Sequence, residues 1–152
     1  MIRWATSEDA EALAQIFYKA VHEGPSLYTQ AQRNAWLPEP PGGADWTARL
    51  ADLNVAVAEM NGRPIGFMSV EPGGYINLAF ILPEHQGTGV FRRLHDRVEQ
   101  WARQQGEARL WTHASLMAQP AFRARGFFVI HHETVERNGE SLMRAKMEKT
   151  LT

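Results

Sequence analysis

Leu78 to Phe91 reads LAFILPEHQGTGVF, and the architecture of the chain turns on it. The stretch opens as an apolar, β-type run that Pro83 stops, because proline has no N–H to give to a ladder. It closes on Gln86-Gly87-Thr88-Gly89, directly before Val90, Phe91, Leu94, Val98, Trp101 and Ala102. Their three- and four-residue spacing predicts a long amphipathic helix closing at Gly106. A strand, a Gly-rich turn and a helix in that order leave successive backbone N–H groups without intrahelical partners at the positive end of a helix dipole. Gly87 and Gly89 allow backbone angles that gather those donors into one concavity, with no Cβ in the way of a phosphate. A diphosphate would fit. The plainer alternative is that the glycines only make a tight strand-to-helix turn.

Upstream, Ile2 to Ala5 is a short apolar start, and Thr6-Ser7-Glu8-Asp9 offers a cap and acids for a helix N-terminus. Ala10, Leu13, Ala14, Phe17, Ala20 and Val21 form the stripe of a first helix that ends near Gly24-Pro25. Tyr28 to Trp36 predicts a second, shorter helix broken by the Pro38 to Gly43 run, and Asp45 to Asp52 a third. Asn54 to Met60 and Pro64 to Glu71 are strands across Asn61-Gly62, a strong hairpin signal. Tyr75 to Leu82 reads as one further strand, so the middle of the chain predicts three antiparallel strands in succession. Beyond the long helix come a strand from Arg109 to Ser115, a short helix from Met117 to Arg125, and a strand pair, Phe127 to Arg137 and Leu142 to Met147, across Asn138-Gly139. No repeat or linker interrupts this order, which predicts one domain over residues 1–152.

Composition narrows the function classes. With 152 residues, 44% hydrophobic and 22% charged, the chain can bury one sizeable core. A formal charge of −1 gives no general attraction to nucleic acid or anionic membrane, so anion recognition must be local. The absence of cysteine excludes disulfides, thiolate metal sites and a thiol nucleophile, and no metal is expected. No apolar run approaches the ~18 residues of a membrane span, and a cytoplasmic protein is expected.

Two familiar phosphate loops fit the turn poorly. A Walker loop needs Lys-Ser or Lys-Thr after its last glycine, where this chain has Val90-Phe91; a dinucleotide-binding turn needs a third glycine where Arg92 stands. The segment instead resembles the acetyl-CoA signature of the GNAT superfamily: a strand ending in proline, then Gln or Arg, two residues, Gly, one residue, and Gly or Ala. Pro83, Gln86 and Gly89 match it. Ser115 to Phe122, followed by Gly126-Phe127, is similar to the family's later Asn-x-x-Ala…Phe-Tyr-x-x-x-Gly-Phe block. Tyr28-Thr29 and Ala35-Trp36-x-Pro38 look like a group of its bacterial members. The resemblance implies an α+β fold in α/β/α layers, with a mixed, mostly antiparallel sheet of about six to seven strands and about four helices. It also implies an acetyl-CoA-dependent N-acetyltransferase acting on a small primary amine, by direct transfer in a ternary complex. Family members often dimerise, so a homodimer is an expectation.

Carried over position by position, the resemblance puts the coenzyme against the main chain of Phe80, Ile81 and Leu82 and against Gln86, Gly87, Thr88, Gly89, Val90 and Phe91. Arg92, on the basic side of the helix with Arg93 and Arg97, reads either as a contact for the coenzyme's 3′-phosphate or as part of an ordinary solvated face. Ser115, Ala118 and Phe122 follow from the second block. Three departures stand out: Phe91 occupies a Gly or Ala position, Ser115 replaces Asn, and Phe122 replaces the tyrosine commonly assigned as general acid. Phe91 either crowds the pyrophosphate or points into the core with Leu94 and Val98. Tyr28 is the substitute candidate for the acid, against a reading as a tyrosine packed on Trp36 with its hydroxyl bonded. His113, which alternates with Trp111 and Ser115 on one strand face, is the candidate base, against a satisfied sheet histidine. The rival function is a non-catalytic coenzyme A or nucleotide-binding module of the same fold.

Overall fold

A computed structural model describes residues 1–152. Strand β1 (Ile2–Trp4) leads through a 3-10 turn into α1 (Ala10–His22), α2 (Gln30–Trp36) and α3 (Gly43–Ala51). Then follow β2 (Asn54–Met60), β3 (Arg63–Val70), β4 (Tyr75–Ile76), β5 (Ala79–Ile81), α4 (Val90–Gln104), β6 (Arg109–Ser115), α5 (Gln119–Ala124), β7 (Phe128–Arg137) and β8 (Glu140–Thr150). Helix α2 starts two residues later than its apolar pattern because Thr29 is its cap. The Thr29 hydroxyl accepts from Gln32 N–H at 3.1 Å, and the Gln32 side chain accepts from Thr29 N–H at 2.8 Å, a reciprocal capping box.

The strands form two four-stranded sheets, ordered β1-β2-β3-β5 and β4-β6-β8-β7. Both Asn-Gly pairs adopt positive φ at each residue, Asn61 at 54° with Gly62 at 77° and Asn138 at 46° with Gly139 at 85°. That backbone twist matches the hairpins they close, β2–β3 and β7–β8. Along β2 the side chains alternate between two cores. Val55 and Val57 join Leu13, Phe17 and Trp46 beneath α1 and α3, whereas Ala56 and Ala58 join Leu94 and Val98 of α4. The first sheet is thus covered on both faces, which gives the expected α/β/α layering. Leu94 and Val98 are fully buried, and truncating Leu94 to alanine should cost about 2–5 kcal/mol.

The run Tyr75 to Leu82 is not one strand. Its first part, β4, pairs parallel with β6, Tyr75 opposite Trp111; its second part, β5, pairs antiparallel with β3, Phe80 opposite Phe67. The expected third antiparallel strand is therefore divided between sheets, which raises the strand count to eight. Two hydroxyls replace the ladder bonds lost at the crossing. Thr112 Oγ1 donates to Ile76 O at 2.9 Å, and Ser69 Oγ accepts from Leu78 N–H at 2.9 Å, both buried. An unmet backbone group there would cost about 1–3 kcal/mol, so these two side chains decide whether the chain can change sheets. Gly74 sets the approach before the crossing: its φ is 82°, and a Cβ there would lie 2.0 Å from Arg109 O.

Candidate functional site

Because β5 is an edge strand, one side of its main chain has no strand partner and faces β6 across a cleft. Leu82 N–H donates to Ile65 O and Leu78 O accepts from Ser69 N–H, so by the antiparallel alternation Phe80 also turns its polar groups to β3. Ala79 and Ile81 turn theirs to the cleft. Of the three expected main-chain contacts, Ile81 therefore faces the open side while Phe80 and Leu82 bond inward; Ala79, which sequence reasoning missed, joins Ile81. Phe80 contributes its ring instead, stacked on Phe17 at 4.2 Å.

Below the end of β5 lies the Gly-rich turn. Gly87 has φ 74° and Gly89, the cap of α4, has φ 88° and ψ 1°. The first helical bond of α4 runs from Arg93 N–H to Gly89 O, and the amides of Gly87, Thr88, Gly89, Val90, Phe91 and Arg92 have no acceptor within the protein. A Cβ at Gly87 or Gly89 would meet nothing within 4 Å, so the space beside these two residues is open. A run of free amides at the positive end of a fifteen-residue helix is the arrangement that binds a phosphate or diphosphate. The Gln86 side chain holds the turn to the strand, its Nε2 donating to Ile81 O at 3.1 Å, and Thr88 Oγ1 closes the turn on His85 O.

Phe91 resolves between its two readings by turning inward. Its ring packs edge-on against Phe122 at 5.0 Å, and Phe122, 1% exposed, packs in turn on Phe127. Phe91 is half-buried, so its ring packs on the core while still lining the cavity beside the turn. Ser115 Oγ accepts from Ala118 N–H at 3.3 Å, which fixes the first residues after β6. Arg92 is exposed and makes no bond within the protein, whereas Arg97 lies over the Trp4 ring at 5.2 Å, away from the turn.

Two cavities meet at this edge. One, of about 220 Å³, runs from Gln86, Gly87 and Phe91 along Ile81 to Ala121. The other, of about 250 Å³, continues from Ala79 and Phe80 toward β4 and is lined by Tyr28, Tyr75, Asn77, His113 and three arginines, among others. Trp36, Ala79, Phe80, Ser115 and Ala118 line both, so the cavities share a wall at the open edge of β5.

Both candidate catalytic side chains line the larger cavity. His113 Nδ1 shares a hydrogen bond with the Tyr75 hydroxyl at 2.9 Å, and its Nε2 lies 4.0 Å from Glu133. Burial, and after it the nearby Arg144 charge, push the His113 pKa below the usual histidine value. It is accordingly neutral at pH 7 and able to accept a proton. Tyr28 is buried, its hydroxyl donating to Met143 O at 2.5 Å and accepting from Leu116 N–H at 3.2 Å, with its ring edge-on to Trp36. Burial raises its pKa. The structure thus brings Tyr28 and His113 to one cavity and the turn residues to the other. It also adds Tyr75, Arg49, Arg137 and Arg144, which sequence reasoning missed. Tyr75 could have been found only by knowing that β4 pairs parallel with β6.

No group of three or more His, Cys, Asp or Glu side chains is placed to hold a metal ion, and no helix is long and apolar enough to cross a membrane. Residues 28–151 match the model of the acetyltransferase (GNAT) domain. The chain is 32% identical over 133 residues to the uncharacterized N-acetyltransferase YafP of Escherichia coli K12, covering 86% of this chain and 83% of that protein. A GCN5-related N-acetyltransferase structure from Rhodopseudomonas palustris superposes with a TM-score of 0.88 at 29% identity, over 99% of this chain and 95% of the other. The PaiA N-acetyltransferase of Thermoplasma acidophilum, solved in complex with coenzyme A, shares the fold with a TM-score of 0.79 at 16% identity, over 99% and 98% of the two chains. A family match over residues 28–151 and a relative sharing 32% identity over most of both chains agree, and the chain belongs to the GNAT acetyltransferase family.

Proposed function

We propose that this chain binds acetyl-CoA along the β5 edge and the Gly-rich turn and transfers the acetyl group directly to a small primary amine held in the larger cavity. The observation that carries the reading is the shared wall: a cavity ending on free amides and a cavity ending on titratable side chains meet at the open edge of β5. The diphosphate of the coenzyme would take the amides from Gly87 to Arg92, and the pantetheine would lie against Ala79 and Ile81, beside Ser115 and Ala118. Phe122 and the Phe91 ring would wall the same channel.

The amine nitrogen attacks the thioester carbonyl carbon, the C–S bond breaks, the nitrogen loses a proton and the sulfur gains one. A cleft-facing main-chain N–H of β5 would stabilise the negative charge that develops on the carbonyl oxygen, an effect typically worth roughly 3 kcal/mol. His113, neutral at pH 7 and bonded to Tyr75, is the proposed base for the nitrogen's proton. Tyr28 is the proposed acid; its raised pKa keeps the proton in place, and delivery to sulfur means giving up the bond to Met143 O. A thiol pKa near 8.5 makes the thiolate a tolerable leaving group, so the demand on this acid is modest. With no cysteine in the chain, transfer without an acyl-enzyme is expected.

The test is thiol release from acetyl-CoA over a panel of amines, with initial rates measured at varied concentrations of both substrates. Intersecting lines are the expected result, and a trapped acetyl-protein on the productive pathway would overturn direct transfer. Coenzyme binding without release on any amine would leave a non-catalytic binding module.

A further inference from the structure

We propose that the acceptor amine carries an anionic group, a carboxylate or a phosphonate, which sits on the arginines of the larger cavity. The inference rests on the acetyl-transfer reading and names the substrate class of that site. Three guanidinium groups line the cavity from three elements, Arg49 of α3, Arg137 of β7 and Arg144 of β8, and no aspartate or glutamate lines it. A wall built to hold a simple cationic amine would have the opposite sign.

The arginines are not spent on structure in equal measure. Arg144 is held by Glu133, at 2.7 Å from Nη2 and 2.9 Å from Nε. Arg49 bonds only the neutral side-chain oxygen of Asn77, at 2.7 Å, and lies over the Trp46 ring at 5.9 Å, while Arg137 bonds only the backbone carbonyl of Glu136, at 3.1 Å. No carboxylate lies within 4 Å of either. Glu136, the nearest acid to Arg137 in sequence, has its carboxylate bonded to Ser141 Oγ. Two guanidinium forks with spare donors therefore face a concave space, and such forks match carboxylate and phosphonate oxygens in pairs.

Size points the same way. About 250 Å³ lies just below the range of roughly 300–1,000 Å³ usual for drug-sized ligands, and suits a metabolite rather than a protein terminus. The field has a second use, because positive charge around the acceptor disfavours its ammonium form. An acidic amine would be drawn in by its anionic end and delivered to His113 with its nitrogen more easily deprotonated.

The experiment uses matched sets in which each amino acid is assayed beside its carboxamide, its decarboxylated amine and its aminophosphonate. At least one acidic member should exceed its carboxamide in kcat/KM by about 10-fold or more, the usual worth of hydrogen bonds to a charged group. Whether the carboxylate or the phosphonate leads distinguishes the two anions. Arg137→Ala and Arg49→Ala should each move the acid-to-carboxamide ratio toward one, with the corresponding lysine variants in between; a general loss of activity cancels in that ratio. Equal or better turnover of the neutral members overturns the inference and leaves acetyl transfer standing. If no amine is turned over, acetyl transfer fails alone, and calorimetric binding of the same sets to the coenzyme A-saturated protein decides the inference. Tighter binding of the acidic members, lost in Arg137→Ala, supports it; binding no tighter than the carboxamides overturns it.

Discussion

The two cavities that share the wall of β5 are built from different materials. The one at the Gly-rich turn is made of backbone: free amides from Gly87 to Arg92, positive φ at two glycines, and the outward groups of Ala79 and Ile81. The larger one is made of side chains from α3, β4, β6, β7 and β8, among them Arg49, Tyr75, His113, Arg137 and Arg144. Backbone donors are fixed by local conformation and tolerate almost any sequence that keeps the glycines. A wall of side chains depends on every strand being in register, and each residue in it can change the ligand without changing the fold. If the proposed function holds, this contrast lets the turn speak for a family and the larger cavity for a particular acceptor.

The largest effect should come from putting charge into the backbone half. Gly89→Asp is expected to weaken coenzyme A binding by about 100-fold or more in calorimetry, through repulsion of phosphate in a partly desolvated site, while circular dichroism stays nearly native. Gly89→Ala separates charge from geometry. Nothing lies within 4 Å of the added Cβ, so its cost should be the strain of φ 88°, about 1–2 kcal/mol. Native affinity in Gly89→Asp would break the contrast at its root.

Next comes the base. His113→Gln should lower kcat by about 10²–10⁴-fold with the coenzyme affinity unchanged, since it alters one wall only. The wild-type rate should fall as pH drops through a pKa below about 6.5, because burial and Arg144 depress it. The sign for stability agrees: a histidine with a depressed folded pKa contributes stability at neutral pH that is lost on acidification through that pKa. An acid limb above 6.5 in the kcat profile, with chemistry rate-limiting, would remove His113 from the role.

A smaller loss is expected for Tyr28→Phe, about 10-fold in kcat, together with about 1–3 kcal/mol of stability, because Met143 O and Leu116 N–H both lose their partner. A fall in thermal stability with kcat intact would make Tyr28 a residue that only holds β8 against the end of β6. The smallest change belongs to Phe122→Tyr, expected within about 2-fold of wild type in kcat, yet partly restoring the Tyr28→Phe variant if both hydroxyls serve the same sulfur. Additive behaviour in the double variant would assign them separate roles.

Features carried by neighbouring residues could be read directly. The two Asn-Gly hairpins, the span of α4, the Thr29 cap and the glycines before α4 all depend on a few consecutive positions and their backbone angles. Tyr75 to Leu82 could not be divided by inspection, since its apolar character suits one strand as well as two. The division is made by Thr112, Ser69 and Gly74, which lie outside the segment and act only once the sheets have formed.

The sequence by itself determined the layered α+β architecture, the Gly-rich turn that opens α4 and a match to the GNAT family, because periodicity, turn chemistry and signature spacing are local. It also singled out Tyr28 and His113 as candidates. Only the tertiary structure decided that Phe91 turns into the core, that Ala79 and Ile81 rather than Phe80 and Leu82 face the cleft, and that Arg49, Arg137 and Arg144 share one wall. Each of those outcomes depends on strand register and sheet order, which bring together residues up to 95 positions apart, and no local pattern encodes which distant strand a strand will choose.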